Sequence, residues 1–232
     1  MTKNECTGHL LTYCFFSQLS FDGSRISLSD NNNLIGYLPT DLSLLTNLIL
    51  LSLDNNNLQG PIPAPIGKLV NLSKLFLQNN FLDGRIPSEL GSLERIQTID
   101  LRTNTLSGSI PEDLYSMDML EVLRLGSNYF LGTLSTSVGQ LKSLRNLDLK
   151  ISQLSGTIPS ELGELTLLTN LALGYNQFSG QIPKELGFLK NLEFLDMSKL
   201  HYFYWIQQLF GNKAYVHDFN SFCDTPFSPR FR

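Results

Sequence analysis

Glycine recurs every 24 residues through the middle of this 232-residue chain, and this regularity constrains the fold more than any other feature of the sequence. The glycines are Gly36, Gly60, Gly84, Gly108, Gly132, Gly156 and Gly180, and the residues around each of them recur in the same order. A period of about 20–29 residues is typical of a solenoid, whose units are too small to bury their own apolar faces. The spacing therefore predicts stacked units with a core spread along one axis.

Each unit contains three leucine positions that predict a short β-strand. In one unit these are Leu72, Leu75 and Leu77, at spacings of three and two residues. The two-residue step is the period of a strand, so Leu75 and Leu77 face one way while Phe76 faces the other. We expect the strands of successive units to pair in parallel, about 4.8 Å apart, in one sheet along an inner face.

An asparagine stands four residues before most of the repeated glycines, where each strand must turn inward. These residues are Asn56, Asn80, Asn104, Asn128 and Asn176. An amide side chain carries both donors and acceptors, so we predict that the column forms a structural ladder that satisfies backbone groups buried by the turn. Ser152 takes the place of asparagine in one unit. Because a hydroxyl fills only part of an amide's role, the ladder should be weakest there.

The sequence after each glycine predicts a short helical segment on the outer face. Ile-Pro ends the extended piece, since proline removes a donor, and a polar pair and Leu-Gly-x-Leu follow. The polar position is acidic in most units, at Asp41, Glu89, Asp113, Glu161 and Glu185. The helix dipole favours a carboxylate in the first turn by about 0.3–1 kcal/mol. We therefore interpret this column as structural; the alternative is a site for a cation or a basic partner.

The aligned unit reads LxxLxLxxNxLxGxIPxxLGxL, and residues 48–69 and 72–93 match it almost without error. This pattern resembles the plant-type leucine-rich repeat family, in particular the extracellular domains of receptor-like kinases and the leucine-rich repeat inhibitor proteins. The resemblance implies an α/β solenoid curved as a horseshoe. It also implies a parallel β-sheet on the concave face, short helical or 3₁₀ segments on the convex face, and a binding scaffold.

Three regions are predicted. Residues 26–199 hold seven 24-residue units and a partial eighth. Residues 1–25 include Cys6 and Cys14 and form a candidate N-terminal cap by resemblance to this family. Residues 200–232 depart from the repeat: the apolar spacing in 200–210 is that of an amphipathic helix that would cap the solenoid, and the alternative is foreign sequence. Cys223 leaves an odd number of cysteines, and their pairing stays open.

Composition and motifs exclude several classes of function. A net charge of −4 and a pI near 5.4, without a basic stripe, argue against nucleic acid as the partner. The sequence contains no apolar run of about 18 residues, so we predict no membrane span. It also contains no nucleophile elbow, phosphate loop or metal-ligand motif, which predicts a non-enzyme without cofactors or metal. No clear signal peptide is present, whereas the family resemblance implies an extracellular or cell-surface address.

The side chains between the core leucines are expected to face solvent and to form the ligand-binding surface. The residues predicted to bind on the concave face are Phe76, Asp100, Arg102, Arg124, Asp148, Lys150 and Tyr175. An exposed aromatic beside arginines has the composition of an interaction hot spot. The alternative is that the opposite charges neutralise one another as cross-strand pairs worth about 0.2–1 kcal/mol each. We expect Gly126 and Gly174 to leave the surface open.

Asn71 begins Asn71-Leu72-Ser73, the one glycosylation sequon of the chain, between a helical segment and a strand. Together these observations predict a non-catalytic recognition module for a protein, peptide or glycan. Two alternatives stay open: a truncated ectodomain of a receptor-like kinase, and an inhibitor or structural protein. The sequence does not indicate the ligand or the oligomeric state.

Overall fold

The computed structural model describes residues 20–21, 23–27, 34–199 and 215–216, the first and last of these pairs by their backbone. A ten-stranded sheet runs along the concave face. Its strands are β1 Ser20–Phe21, β2 Arg25–Ser27, β4 Leu50–Ser52, β6 Lys74–Phe76, β8 Thr98–Asp100, β10 Val122–Arg124, β12 Asn146–Asp148, β14 Asn170–Ala172, β16 Phe194–Asp196 and β17 Tyr215–Val216. All neighbours pair in parallel except β1 and β2.

The core consists of leucine columns, because the same three positions of every unit point inward. Leu72, Leu75 and Leu77 are fully buried, as are their counterparts in the neighbouring units. Leu51, Leu75 and Ile99 lie in register on three adjacent strands. The predicted parallel sheet and the leucine-rich repeat solenoid are therefore confirmed.

Seven short strands continue from the concave strands and form two lateral sheets, which the sequence did not predict. They are β3 Ile35–Tyr37, β5 Asn57–Pro61, β7 Phe81–Asp83, β9 Ser107–Gly108, β11 Tyr129–Thr133, β13 Gln153–Thr157 and β15 Gln177–Ser179. The repeated glycines lie in or just after these strands at positive φ, 73° at Gly84 for example. At Gly156 the missing side chain also leaves room for the preceding unit, since a Cβ there would lie 2.8 Å from Cγ2 of Thr133.

The convex face carries 3₁₀ helices, in agreement with the predicted helical segments. They are Thr40–Leu44, Ala64–Lys68, Ser88–Ser92, Glu112–Ser116, Thr136–Gln140, Ser160–Glu164 and Lys184–Phe188. Most follow a proline, but Ser135 precedes one of them, and its Oγ accepts a hydrogen bond of 3.1 Å from Ser137 N. The helices stack closely: a Cβ on Gly163 would lie 2.3 Å from the backbone oxygen of Glu185 in the next unit. Tyr115 occupies the equivalent glycine position and is buried.

The asparagine column lies at the turn after each concave strand. Nδ2 of Asn104 donates to the backbone oxygens of Leu77 at 3.0 Å and Leu101 at 3.1 Å, while its Oδ1 accepts from Leu82 N at 3.0 Å. Asn80, Asn128 and Asn176 make the same three bonds, and Asn56 also donates to its own turn and accepts from the preceding unit. Each amide therefore joins its own turn to the preceding unit.

The ladder is interrupted at Ser152. Its Oγ is buried and finds no hydrogen-bond partner among the described residues. The backbone bond from Ser152 N to Tyr175 O, at 3.3 Å, is as long as the equivalent bonds of Asn104 and Asn128, so only the side-chain bonds are lost. A serine side chain is shorter than an asparagine side chain and has one polar atom instead of two. It therefore does not bridge the two units as the amide does.

The boundaries predicted for the three regions stay predictions. Most of the candidate cap at residues 1–25, including Cys6 and Cys14, lies outside the described residues. The same holds for the tail at residues 200–232, including Cys223, apart from the backbone of β17.

Candidate functional site

The concave face presents three columns of side chains, because the outward positions of a strand alternate with the buried leucines. The sequence interpretation covered the second and third columns and missed the first. The first column runs Leu50, Lys74, Thr98, Val122, Asn146, Asn170 and Phe194 in direct register. Lys74 is the one charged residue among these seven, and it is exposed. The sequence does contain the signal for this column. Its residues stand two positions before those of the second column, so the strand period places both columns on the same face.

Asp100 lies at the centre of a charge cluster in the second and third columns. Arg102 holds it through two hydrogen bonds, from Nε to Oδ1 at 2.9 Å and from Nη2 to Oδ2 at 2.7 Å. Arg124 approaches Oδ2 from the next strand at 3.6 Å. The paired carboxylate raises the pKa of Arg102, chiefly through this hydrogen bond. Asp100 is only 1% exposed, so the expectation that it faces solvent is wrong: the two guanidinium groups cover it.

Asp148 is also buried, at 8% exposure, which again corrects the expected solvent-facing position. Burial raises the pKa of its carboxyl, and the backbone hydrogen bond from Lys150 N to Oδ1 opposes this shift. A Cβ on Gly126 would lie 2.7 Å from Asp148 Oδ1. The expectation that Gly126 leaves the surface open is therefore wrong, because the carboxylate of the next unit fills that space.

The same arrangement recurs at Gly174, where a Cβ would lie 2.6 Å from Asp196 Oδ1. Asp100, Asp148 and Asp196 thus stand in every second unit of the second column, 48 residues apart. Gly126 and Gly174 stand in the units before the last two of these aspartates. The buried aspartates of the concave face therefore repeat every two units, whereas the core leucines repeat every unit.

The cluster has an excess of positive charge. Three cations, Arg102, Arg124 and Lys150, surround the two carboxylates of Asp100 and Asp148. Both guanidinium groups keep about a third of their side-chain surface exposed. Among the described residues, the Lys150 side chain forms no ion pair within 4.0 Å. The formal charge of these five side chains is +1, on a chain whose net charge is −4.

Phe76 borders this cluster, as the register places it directly beside Asp100. Its ring is half-buried and supplies an apolar surface next to the arginines. Tyr175 lies apart from them: it follows β14 in a turn at φ 56° and is 42% exposed. The structure thus brings together six of the seven predicted residues, from Phe76 to Lys150, and places Tyr175 at the margin.

The described residues bear on two further kinds of site, a metal centre and a membrane span. No group of His, Cys, Asp and Glu side chains within them is placed to hold a metal ion. No helix among them is long and apolar enough to cross a membrane. The acidic residues of the outer face, such as Glu89 and Glu161, lie in the first turns of their 3₁₀ helices, on the side opposite the concave cluster.

The repeats and the fold define a class of protein. The family model described as Leucine Rich Repeat matches residues 47–69, 71–93 and 95–117. The chain contains leucine-rich repeats, and the solved structures that it resembles include ectodomains of plant receptor kinases. No curated protein sequence matches it.

Two solved receptors illustrate the similarity. The plant peptide hormone receptor RGFR1, in complex with RGF2, shares 36% identity with a TM-score of 0.74, over 75% of this chain and 28% of the receptor chain. The Arabidopsis receptor kinase HAESA, in complex with the peptide hormone IDA and the co-receptor SERK1, shares 41% identity with a TM-score of 0.71, over 75% and 29% of the two chains. The chain thus matches little more than a quarter of each receptor.

A plant ice-binding protein is also similar, with 30% identity and a TM-score of 0.62, over 73% of this chain and 54% of that protein. The same scaffold therefore occurs in proteins that bind quite different targets. The function has to be argued from the residues on the concave face.

Proposed function

We propose that this chain is an extracellular, non-catalytic recognition module that binds an extended peptide or protein segment along its concave face. The observation that carries the proposal is the charge cluster: Arg102 and Arg124 pair with the buried carboxylates of Asp100 and Asp148 and stay about a third exposed beside Phe76. An aromatic and arginines on a solvent-facing surface form the type of site where binding energy concentrates. The excess charge favours a ligand with an acidic group near an apolar side chain.

The structural relatives support a peptide as the ligand. RGFR1 and HAESA are both described in complex with peptide hormones. Parallel strands place equivalent side chains in columns that run across several units. An extended peptide that lies across the strands can contact one such column along its length. A glycan is the alternative ligand, and a signalling role follows from the resemblance to these receptors.

The test is a binding screen with the full chain against synthetic peptides that pair one acidic residue with apolar neighbours. We expect Phe76→Ala and Arg124→Ala each to weaken a selected peptide by more than about 1 kcal/mol, because they remove a hot-spot contact. Higher salt should weaken it too, since the charges are partly exposed. The matched control is Glu89→Ala with Glu161→Ala on the outer face, which should leave the affinity unchanged. Loss of binding in the control pair alone would show that the concave face is not the binding surface.

A further inference from the structure

A groove runs along the edge of the concave sheet at which the strands begin. It has a volume of about 580 Å³ and contains Asn71 and Ser73 of the sequon. Ile49 and Met119 line it with exposed apolar surface, and Arg95 and Gln97 line it with polar groups.

The orientation of Asn71 is fixed by the fold. Its Nδ2 donates to Thr46 O of the preceding unit at 3.0 Å, and Asn191, in the last described unit, makes the same bond to Thr166 O at 2.8 Å. An amide nitrogen that carries a sugar keeps one hydrogen, so this bond is compatible with modification. Asn191 precedes Leu192-Glu193 and lacks the hydroxyl residue that completes a sequon.

We propose that Asn71 carries an N-linked glycan whose innermost sugar lies in this groove. In the transfer step, Nδ2 forms a bond to C1 of the sugar and loses a proton, while the bond from C1 to the pyrophosphate of a polyprenyl-linked oligosaccharide donor breaks. The apolar face of the sugar then packs on Ile49, which lies beside Ser73 in the preceding unit, and Gln97 and Arg95 of the following unit hydrogen-bond its hydroxyl and acetamido groups. The glycan extends from the sheet edge and leaves the concave charge cluster open.

This inference rests on the extracellular address in the proposed function, so the test supplies the secretory route directly. The full chain is fused to a secretion leader and expressed in mammalian cells, and its mass is measured before and after treatment with peptide-N-glycosidase F. We expect wild type to carry one glycan and both Asn71→Gln and Ser73→Ala to carry none. Ser73→Ala keeps Asn71 and its bond to Thr46, so it separates loss of the sequon from loss of the side chain. Secreted wild type without a glycan would overturn the site.

A second measurement tests the groove. Leu131→Asn, made together with Asn71→Gln, creates a sequon with Gly132 and Thr133 on an exposed strand of the lateral sheet. We expect the glycosidase to release the Asn71 glycan several-fold more slowly from folded than from unfolded protein, and to release the engineered glycan at similar rates from both. Equal rates at Asn71 would overturn the placement in the groove. The peptide screen on unglycosylated protein tests the concave face separately, so the two proposals fail independently.

Discussion

At the scale of single residues, hydrogen bonds to buried backbone groups decide how tightly consecutive units are joined. Nδ2 of Asn104 donates both to its own turn and to the preceding unit, and Oδ1 accepts from the preceding unit. Ser152 leaves a buried hydroxyl without a partner in the same position. An unpaired buried polar group costs about 1–3 kcal/mol, so this unit should be the weakest joint of the described region.

We predict that Ser152→Asn raises the free energy of unfolding by about 0.5–1.5 kcal/mol, since it restores the bonds that the other units make. Asn104→Ala is the reciprocal change and should lower the free energy of unfolding by about 1–3 kcal/mol. Urea denaturation of both variants beside wild type measures the two effects. A destabilised Ser152→Asn variant would mean that the turn at this unit has no room for the amide.

A second prediction concerns the buried carboxyl of Asp148. Burial raises its pKa above the ordinary value of 3.8, so the folded protein binds this proton more tightly than the unfolded chain does. Its contribution to stability is therefore fully present below that ordinary value and is lost as the pH rises through the raised pKa. Asp148→Asn cannot ionise, and its Oδ1 still accepts from Lys150 N. We expect the stability of this variant relative to wild type to increase as the pH rises above about 3.8.

The measurement is the denaturation midpoint of both proteins at a series of pH values from acid to neutral. Asp100→Asn is the contrasting variant, because it removes the negative charge and the Oδ2 acceptor of the hydrogen bond from Arg102 Nη2. It should be less stable than wild type at neutral pH. A constant difference between Asp148→Asn and wild type at every pH would show that burial does not control this carboxyl.

At the scale of elements, the leucine spacing was sufficient to predict the concave strands. The two-residue step between the last two leucines of each unit is the period of a β-strand. The lateral strands were not predicted, since their pairing depends on the fit of one unit's side chain over the next unit's glycine, as with Thr133 over Gly156. For the same reason the burial of Asp148 was missed: the residue that admits its carboxylate, Gly126, belongs to another unit. A single-unit pattern does not contain such contacts.

The stacking of the 3₁₀ helices gives a prediction at this scale. Gly163→Ala places a Cβ 2.3 Å from the backbone oxygen of Glu185, which must then move. We expect the free energy of unfolding to fall by about 1–3 kcal/mol, as is usual for overpacking. Ser160→Ala on the same helix is exposed and should change stability by less than about 0.5 kcal/mol. Thermal or urea unfolding compares the two, and equal stabilities would mean that the helices separate at no cost.

At the scale of the whole molecule, each unit contacts mainly its neighbours, so the length of the solenoid is adjustable in whole periods. Deletion of residues 79–102 removes one period of 24 residues and joins Gln78 to Thr103, which occupies the same place as Asn79. Gly67 then faces Asp113, as Gly91 does in the full chain. We predict that this variant folds cooperatively as a shorter solenoid.

The matched control deletes only residues 79–90, half a period, which places strand residues opposite helix residues and should prevent folding. Circular dichroism and the steepness of the urea transition distinguish the two outcomes. Similar behaviour of both deletions would show that the phase of the repeat does not govern stacking.

Asp148 packs against Gly126, and Asp196 packs against Gly174. These pairs restrict how the concave face can evolve by gain, loss or exchange of repeats. A single repeat that is duplicated, lost or exchanged at these positions separates a carboxylate from the glycine that makes room for it. A module of two repeats keeps each pair intact. Recombination that preserves this face should therefore move repeats in pairs, and a grafted binding surface should be cut at the same boundaries.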